Sequence, residues 1–299
     1  MKAQVVLIGL VLVSTSCSSF SLLQAQEIPP EYQQVLTTTS KIGDYKANVL
    51  KVNIPRNDIQ VTVNKVALPT PFGFVGWFAM TKGDAGEEVM MGDLVLRQEE
   101  VNPVMSALLD NGLEVTALHN HFFWEEPRIY YMHVHGHGKA ADLAKQIKPA
   151  LDLIGKGASS QPAAKPAPSP ATTLDTVKIA KIIGHVGEQS GAVYKITIGR
   201  DDMKLKDMGA TINARMGLNT WAAFYGTSDN AAIAGDVAML GNEVNPVLKA
   251  LRSHGLDVVA IHNHMIGTQP NVVFLHYWGQ GKADDLAAGF KAALDQLGH

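Results

Sequence analysis

His119, His121 and His133 recur 143 positions further on as His262, His264 and His276. The surroundings recur with them, as Leu118-His-Asn-His121 with Met132-His133 and as Ile261-His-Asn-His264 with Leu275-His276. Imidazole is neither a common filler nor a turn former, so identical placement in two copies points to a site. At neutral pH such a site can ligate a transition metal through bare ring nitrogens or move protons. Three imidazoles around an open position suit a catalytic zinc, and also copper, iron or nickel. Cys17 is the single cysteine, which excludes an intrachain disulfide, a thiolate metal site and a cysteine nucleophile. Any metal must be held by nitrogen and oxygen.

The two copies are not equal. The first adds His135, His137 and the pair Glu125-Glu126, where the second has Trp278, Gln280 and Thr268-Gln269. The first copy is therefore expected to hold a metal through His119, His121 and His133, with His135 in support. Glu125 or Glu126 would be a fourth ligand or, in an enzyme, the general base. His262, His264 and His276 form a minimal set that binds more weakly or serves structure. A metal-free alternative reads the same residues as a hydrogen-bonded ladder along a half-exposed strand. Trp77 and Trp221 read as core residues. His119, His121 and Glu125 have the spacing of the first cupin motif, but its flanking glycines are misplaced. No His-Glu-x-x-His, Gly-x-Ser-x-Gly or phosphate-binding loop is present.

Strands must position these groups. Leu50, Val52 and Ile54 alternate with Lys51 and Asn53, as Tyr194, Ile196 and Ile198 do in the second copy, which is the period of a half-buried strand. Further strands are expected near 60–68, 73–81 and 88–97. Asn102-Pro103 and Asn245-Pro246 read as a helix N-cap followed by proline at the first helical position. Gly112 and Gly255 stop those helices. A strand (113–122; 256–264), a loop with Pro127 or Pro270 and another strand follow, so alternate histidines share one face. Leu143, Ile147, Leu151 and Ile154 keep helical spacing, matched by Leu286, Phe290, Leu294 and Leu297. Each copy reads ββββ-α-ββ-α. The fold class is α+β, two tandem homologous domains, each a mostly antiparallel sheet with two helices.

The repeat extends upstream. Lys51, Arg56 and Asp58 match Lys195, Arg200 and Asp202, Trp77 matches Trp221, and Asp93 matches Asp236. Two copies suit a closed pseudo-dimer better than a solenoid. Residues 27–155 and 173–299 are the expected domains, and the Pro/Ala/Ser-rich stretch 156–172 is the linker. Each half carries its own amphipathic helices and is expected to fold alone. Of the 299 residues, 18% are charged and 46% hydrophobic, with a formal net charge of -3. That is enough to bury a core, and it supplies no basic field for nucleic acid. Residues 1–25 read as a secretory signal: a basic start, then an apolar run from Val5 to Val13 too short to span a bilayer. Cleavage after Ala25 competes with lipidation of Cys17, so membrane attachment is expected only through that lipid.

Gly92-Asp-Leu-Val-Leu96, Glu100-Val-Asn-Pro-Val104, Glu114-Val-Thr-Ala-Leu-His-Asn-His121 and Glu125-Glu-Pro-Arg128 resemble the LppY/LpqO family of bacterial envelope lipoproteins. The likeness covers residues 31–299 apart from the linker. It implies a tandem domain exported to the periplasm or cell envelope and implies no particular activity. Taken with the histidines, the expected function is an exported protein that binds a transition metal, zinc or copper first among the candidates. The alternatives are a metal-dependent hydrolase or oxidase, and a metal-free module for a small ligand or an envelope partner.

Overall fold

Alternation in the strands divides each sheet into an apolar face and a face that carries the polar chemistry. A computed structural model describes residues 26–156 and 172–298. The expected signal segment, Cys17 and most of the linker lie outside the described residues. In the first repeat the order is α1 (Pro30–Thr39), β1 (Gly43–Lys46), β2 (Val49–Pro55), β3 (Val61–Val63), β4 (Val66–Leu68), β5 (Val75–Lys82) and β6 (Glu88–Arg97), then α2 (Gln98–Asp110), β7 (Glu114–His119), β8 (Glu125–Glu126), β9 (Ile129–Gly138) and α3 (Ala140–Leu153). The second repeat runs α4 (Thr176–Ile183), β10 (Glu188–Ser190), β11 (Val193–Gly199), β12 (Lys206–Asp207), β13 (Ala210–Thr211), β14 (Asn219–Gly226) and β15 (Ala231–Leu240), then α5 (Val244–Ser253), β16 (Asp257–His262), β17 (Val272–Gly281) and α6 (Ala283–Leu294).

The α+β class is observed, with mostly antiparallel sheets. Each repeat builds a six-stranded sheet of the same order, β1-β2-β5-β6-β9-β7 and β10-β11-β14-β15-β17-β16. The register breaks at the same place in both, between Val115 and Ala117 and between Val258 and Ala260. A leading helix, α1 or α4, adds to the expected element list. It was hard to see because only Tyr32, Val35 and Thr39 of α1 are buried.

One face of the first sheet presents Leu50, Val52, Phe78, Leu94, Met132 and Val134 to Val104, Leu108, Leu143 and Ile147 of α2 and α3. Ile196, Phe224, Ile233 and Leu275 do the same against Val247, Leu251, Leu286 and Phe290 of α5 and α6. The other faces are not solvated. Phe72, Phe74, Phe122 and Tyr131 pack with Val193, Tyr225 and Trp278 of the second repeat. Val49, Ala79 and Met91 pack with Met216, Leu218 and Phe274. Two sheets therefore meet face to face with helices outside, and the repeats share two apolar clusters as well as owning one each.

The helix starts differ from expectation. Asn102 and Asn245 are not N-caps. The helix α2 begins at Gln98 and places Pro103 inside, because Glu100 accepts the backbone N–H of Arg97 at 2.8 Å and closes the first turn there. Glu243 accepts that of Leu240 at 2.7 Å in the same role. Both carboxylates are buried against an arginine, Glu100 on Arg56 at 2.7 Å and Glu243 on Arg200 at 3.0 Å. Helix ends fall as expected, with Gly112 and Gly255 at φ 81° and 75° just past them, a conformation glycine adopts without penalty.

Candidate metal centre and the cavity above it

Register builds the site row by row. On the inward face of the first sheet, Asn53 pairs with Trp77, Trp77 with Asp93, Asp93 with His133, and His133 with Ala117. The second sheet repeats the row as Thr197, Trp221, Asp236, His276 and Ala260. Because the sheets face each other, the two rows of histidines meet at the centre of the molecule.

The meeting is symmetric. His119 lies on His262 with ring centroids 3.7 Å apart, which marks the local twofold axis. His121 stacks on His276 at 3.6 Å and, as its mirror pair, His133 on His264 at 3.8 Å. The outer faces are covered by Tyr131 on His121 and Phe274 on His264. Two groups bring ligand atoms within 4.8 Å of one another: His119, His121 and His276, and His119, His133 and His262. These groups could hold a metal ion.

Each group draws on both repeats. The expectation of a separate site per domain, tighter in the first, is therefore corrected: among the described residues no such group forms from one copy alone. The reason is that His121 lies beyond the end of β7 and turns across the interface toward His276.

Hydrogen bonds fix the ring tautomers. Nδ1 of His133 is 3.2 Å from the carbonyl of Gly92, and Nδ1 of His276 is 3.2 Å from that of Gly235. A carbonyl only accepts, so each Nδ1 carries the proton and each Nε2 presents a lone pair. Both glycines are required by space. A Cβ on Gly235 would lie 2.1 Å from the carbonyl oxygen of Trp221, and one on Gly92 2.8 Å from that of Trp77. Nε2 of His276 faces Nε2 of His119 at 3.1 Å. Two lone pairs at that distance repel unless a proton or a cation lies between them. A tetrahedral ion about 2.0–2.1 Å from each nitrogen sets neighbouring nitrogens roughly 3.3 Å apart.

Seven of the eleven buried side-chain atoms without a hydrogen-bond partner among the described residues are nitrogens of these histidines. Unpaired buried polar atoms cost stability, and an ion held by either three-histidine group would supply a partner to some of these nitrogens. Burial first, then the neighbouring imidazoles, pushes His119 and His121 below the ordinary value, and burial lowers His276 to about 3 against the opposing charge of Asp236. His133, His262 and His264 are also lowered, chiefly by burial. Neutral imidazole is the ligating form.

Acid should therefore destabilise the metal-free chain. Each of the six imidazoles stays neutral in the fold while its unfolded counterpart takes a proton near pH 6.5. Stability is present above that pH and is lost as pH falls below it, by about 1.4 kcal/mol per pH unit for each such group. Asp93 and Glu125, both raised to about 7 mainly by burial, and Asp236, also raised, oppose this. They are protonated more readily in the fold and favour it as pH falls. Glu88 and His135, also raised, act with the three carboxyls, and the six imidazoles still outnumber these five groups, so denaturant midpoints in chelator should fall from pH 7 to pH 5. A flat or rising profile would contradict the burial of neutral histidines.

Three expected participants are elsewhere. His135 is in neither group, because its Nε2 is held at 2.7 Å by Asp207 and its Nδ1 lies 3.3 Å from Glu114. Those carboxylates raise it above the ordinary value despite burial. Glu125 turns back into its own loop, accepting the N–H of Ile129 and the amide of Asn120 at 3.3 Å each. Glu126 pairs with Thr62 in the small sheet β4-β3-β8 and is exposed. Neither glutamate belongs to either three-histidine group.

Sequence reading missed the groups above the histidines. A cavity of about 450 Å³ opens between the sheets, lined by Lys51, Trp77, Asp93 and His121 and by Lys195, Trp221, Asp236, His264 and His276. Trp77 and Trp221, expected in the core, line this cavity with a lysine ammonium over each ring, at 4.2 and 3.9 Å. The signal was available: all four pairs recur in the repeat.

The fold and site together define a tandem α+β protein in which two copies of one domain close around a shared histidine cluster. The family model described as a domain of unknown function, DUF1259, matches residues 33–153 and again 177–296. The chain belongs to that family and carries its domain twice. No curated protein matches it. Among solved structures, the trimeric bacterial microcompartment shell protein PduB is 12% identical with a TM-score of 0.20, covering 84% of this chain and 88% of its own. The protein EtuB from Clostridium kluyveri is 10% identical with a TM-score of 0.20, covering 85% and 90%. Scores this low leave the description of the fold to the chain's own topology.

Proposed function

We propose that the protein holds one transition-metal ion, zinc or copper, in a centre that its two repeats complete together. The observation that carries this is the 3.1 Å approach of Nε2 of His119 and Nε2 of His276, from opposite repeats, with His276 turned by the carbonyl of Gly235 so that its lone pair faces inward. An all-imidazole set is borderline in softness and suits zinc and copper better than magnesium or calcium. The apolar run at residues 5–13 and the likeness to the LppY/LpqO envelope lipoproteins support export to the periplasm or cell envelope. No described helix is long and apolar enough to cross a membrane.

Binding should be tight because the donors are already assembled, and an ion that binds only the folded chain raises its melting temperature. The test is titration of the untagged chain with zinc and with copper(II) at pH 7.5, with melting followed in parallel. The expected result is saturable binding with a rise in melting temperature that a chelator reverses. Binding no tighter than that of the heat-unfolded chain would overturn the reading.

A further inference from the structure

The cavity above the histidines contains charge that the metal centre does not use. Lys51 comes from β2 of one sheet and Lys195 from the equivalent strand, β11, of the other, and both reach into the same space. Each ammonium lies over a tryptophan ring. Neither is in an ion pair among the described residues, although surface lysines such as Lys148 and Lys291 are. Asp93 and Asp236 line the same cavity, and burial pushes both carboxyls toward the neutral form. Asp44 pairs with Arg215 at 2.8 Å, and Asp236 accepts the N–H of Leu275 and lies 3.5 Å from Nε2 of His264. Burial lowers both lysines, Lys51 to about 7 with the added effect of Lys195 and Arg215, and Lys195 to about 8 against the opposing pull of Asp236 and Asp93.

Two half-buried ammonium groups facing one cavity, neither in a salt bridge among the described residues, are unfavourable in the empty protein. The arrangement becomes favourable when an anion lies between them, as charge-assisted bonds to both would then form. The tryptophan rings supply apolar walls, and the volume falls in the range of small-molecule sites.

We propose that the cavity between the sheets binds a small organic anion, with its carboxylate or phosphate oxygens between Lys51 and Lys195 and its body against Trp77 and Trp221. This goes beyond the metal reading and does not need the ion. The floor of the cavity is His121, His264 and His276, so a bound anion also lies next to the metal centre. The two repeats then have a shared purpose: each supplies one lysine and one tryptophan of a single binding site.

The experiment uses the full chain in EDTA at pH 6.5 and constant ionic strength. Succinate and inorganic phosphate are the probes, carboxylate and phosphate respectively, read by calorimetry and by melting temperature. Saturable binding of at least one probe is expected, with a rise in melting temperature. Lys51→Met and Lys195→Met should each weaken it about tenfold, the effect of losing one charge-assisted hydrogen bond. Each variant should melt no lower than the wild type without probe, since a desolvated charge has been removed. Zinc affinity should be unchanged in both variants, which separates this outcome from the fate of the metal reading. Lys249→Met is the control and should leave probe binding as in the wild type. Absence of saturable binding of either probe, or equal affinity in the lysine variants and the wild type, would overturn the proposal.

Discussion

His119→Ala should lose tight metal binding altogether, with affinity falling by a factor of 100 or more. His119 belongs to both three-histidine groups, and its Nε2 makes the closest approach to a ligand of the other repeat. Removing it leaves no group of three among the described histidines within reach of one ion. Two imidazoles hold zinc or copper far less firmly than three, and the vacated volume admits water. The same loss is expected from the double variant His262→Ala/His276→Ala, because each group draws one of these two residues from the second repeat. His135→Ala should leave affinity close to wild type, because His135 is engaged by Asp207 and Glu114. Calorimetric titration with zinc and copper, with circular dichroism to show that each variant folds, reads all three outcomes. Tight binding that survives His119→Ala would refute the shared centre.

The largest effect on stability should come from Glu100→Ala, at about 3–5 kcal/mol, the range for breaking a buried ion pair from one side. Arg56 is 2% exposed and places its guanidinium on Glu100 at 2.7 and 2.9 Å. The carboxylate also accepts the N–H of Arg97 at 2.8 Å and that of Gly155 at 2.8 Å. The substitution therefore leaves a buried cation with only the partly exposed Asp58, opens the start of α2 and releases the end of the repeat. Arg56→Met combined with Glu100→Leu should recover much of the loss, since no charge is then stranded. Asp152→Ala, which breaks the exposed pair with Lys148, should cost less than about 1 kcal/mol. Guanidinium unfolding of the four proteins makes the comparison. Equal losses for Glu100→Ala and Asp152→Ala would show that the buried pair is not the support described.

Much of this architecture could be read from the chain. The alternation of Leu50, Val52 and Ile54 marks a strand with one apolar face, and the spacing of Leu143, Ile147 and Leu151 marks the packing face of α3, because both periods arise from backbone geometry. The repeat itself singled out the histidines. What the alternation could not show is what covers the other face. Lys51 and Asn53 look like solvent-side residues, yet they face the second sheet, and the pairing of two sheets depends on contacts between residues more than a hundred positions apart. For that reason the histidines read in sequence as two sites instead of one. His135 was misplaced for a related cause: it has the right type and spacing on β9, but its partner Asp207 comes from the other repeat. Asn-Pro is a common helix start and so reads as a cap at Asn102, whereas the contact of Glu100 with Arg56, 44 positions away, is invisible in local sequence. The expectation that each half folds alone now meets two apolar clusters that both halves complete. A separated half would expose Phe72, Phe122 and Tyr131, or Val193, Phe274 and Trp278.

The central claim is that one ion is held by histidines of both repeats. The most direct test is the metal content of the untagged full-length chain, of His119→Ala and of the double variant His262→Ala/His276→Ala, which each remove a ligand from both groups, after loading with zinc and dialysis, measured by mass spectrometry. The account predicts one zinc per wild-type chain, and a large loss from each variant although the substitutions lie in different repeats. Two zinc ions per wild-type chain, with each variant losing one and keeping the other, would contradict it.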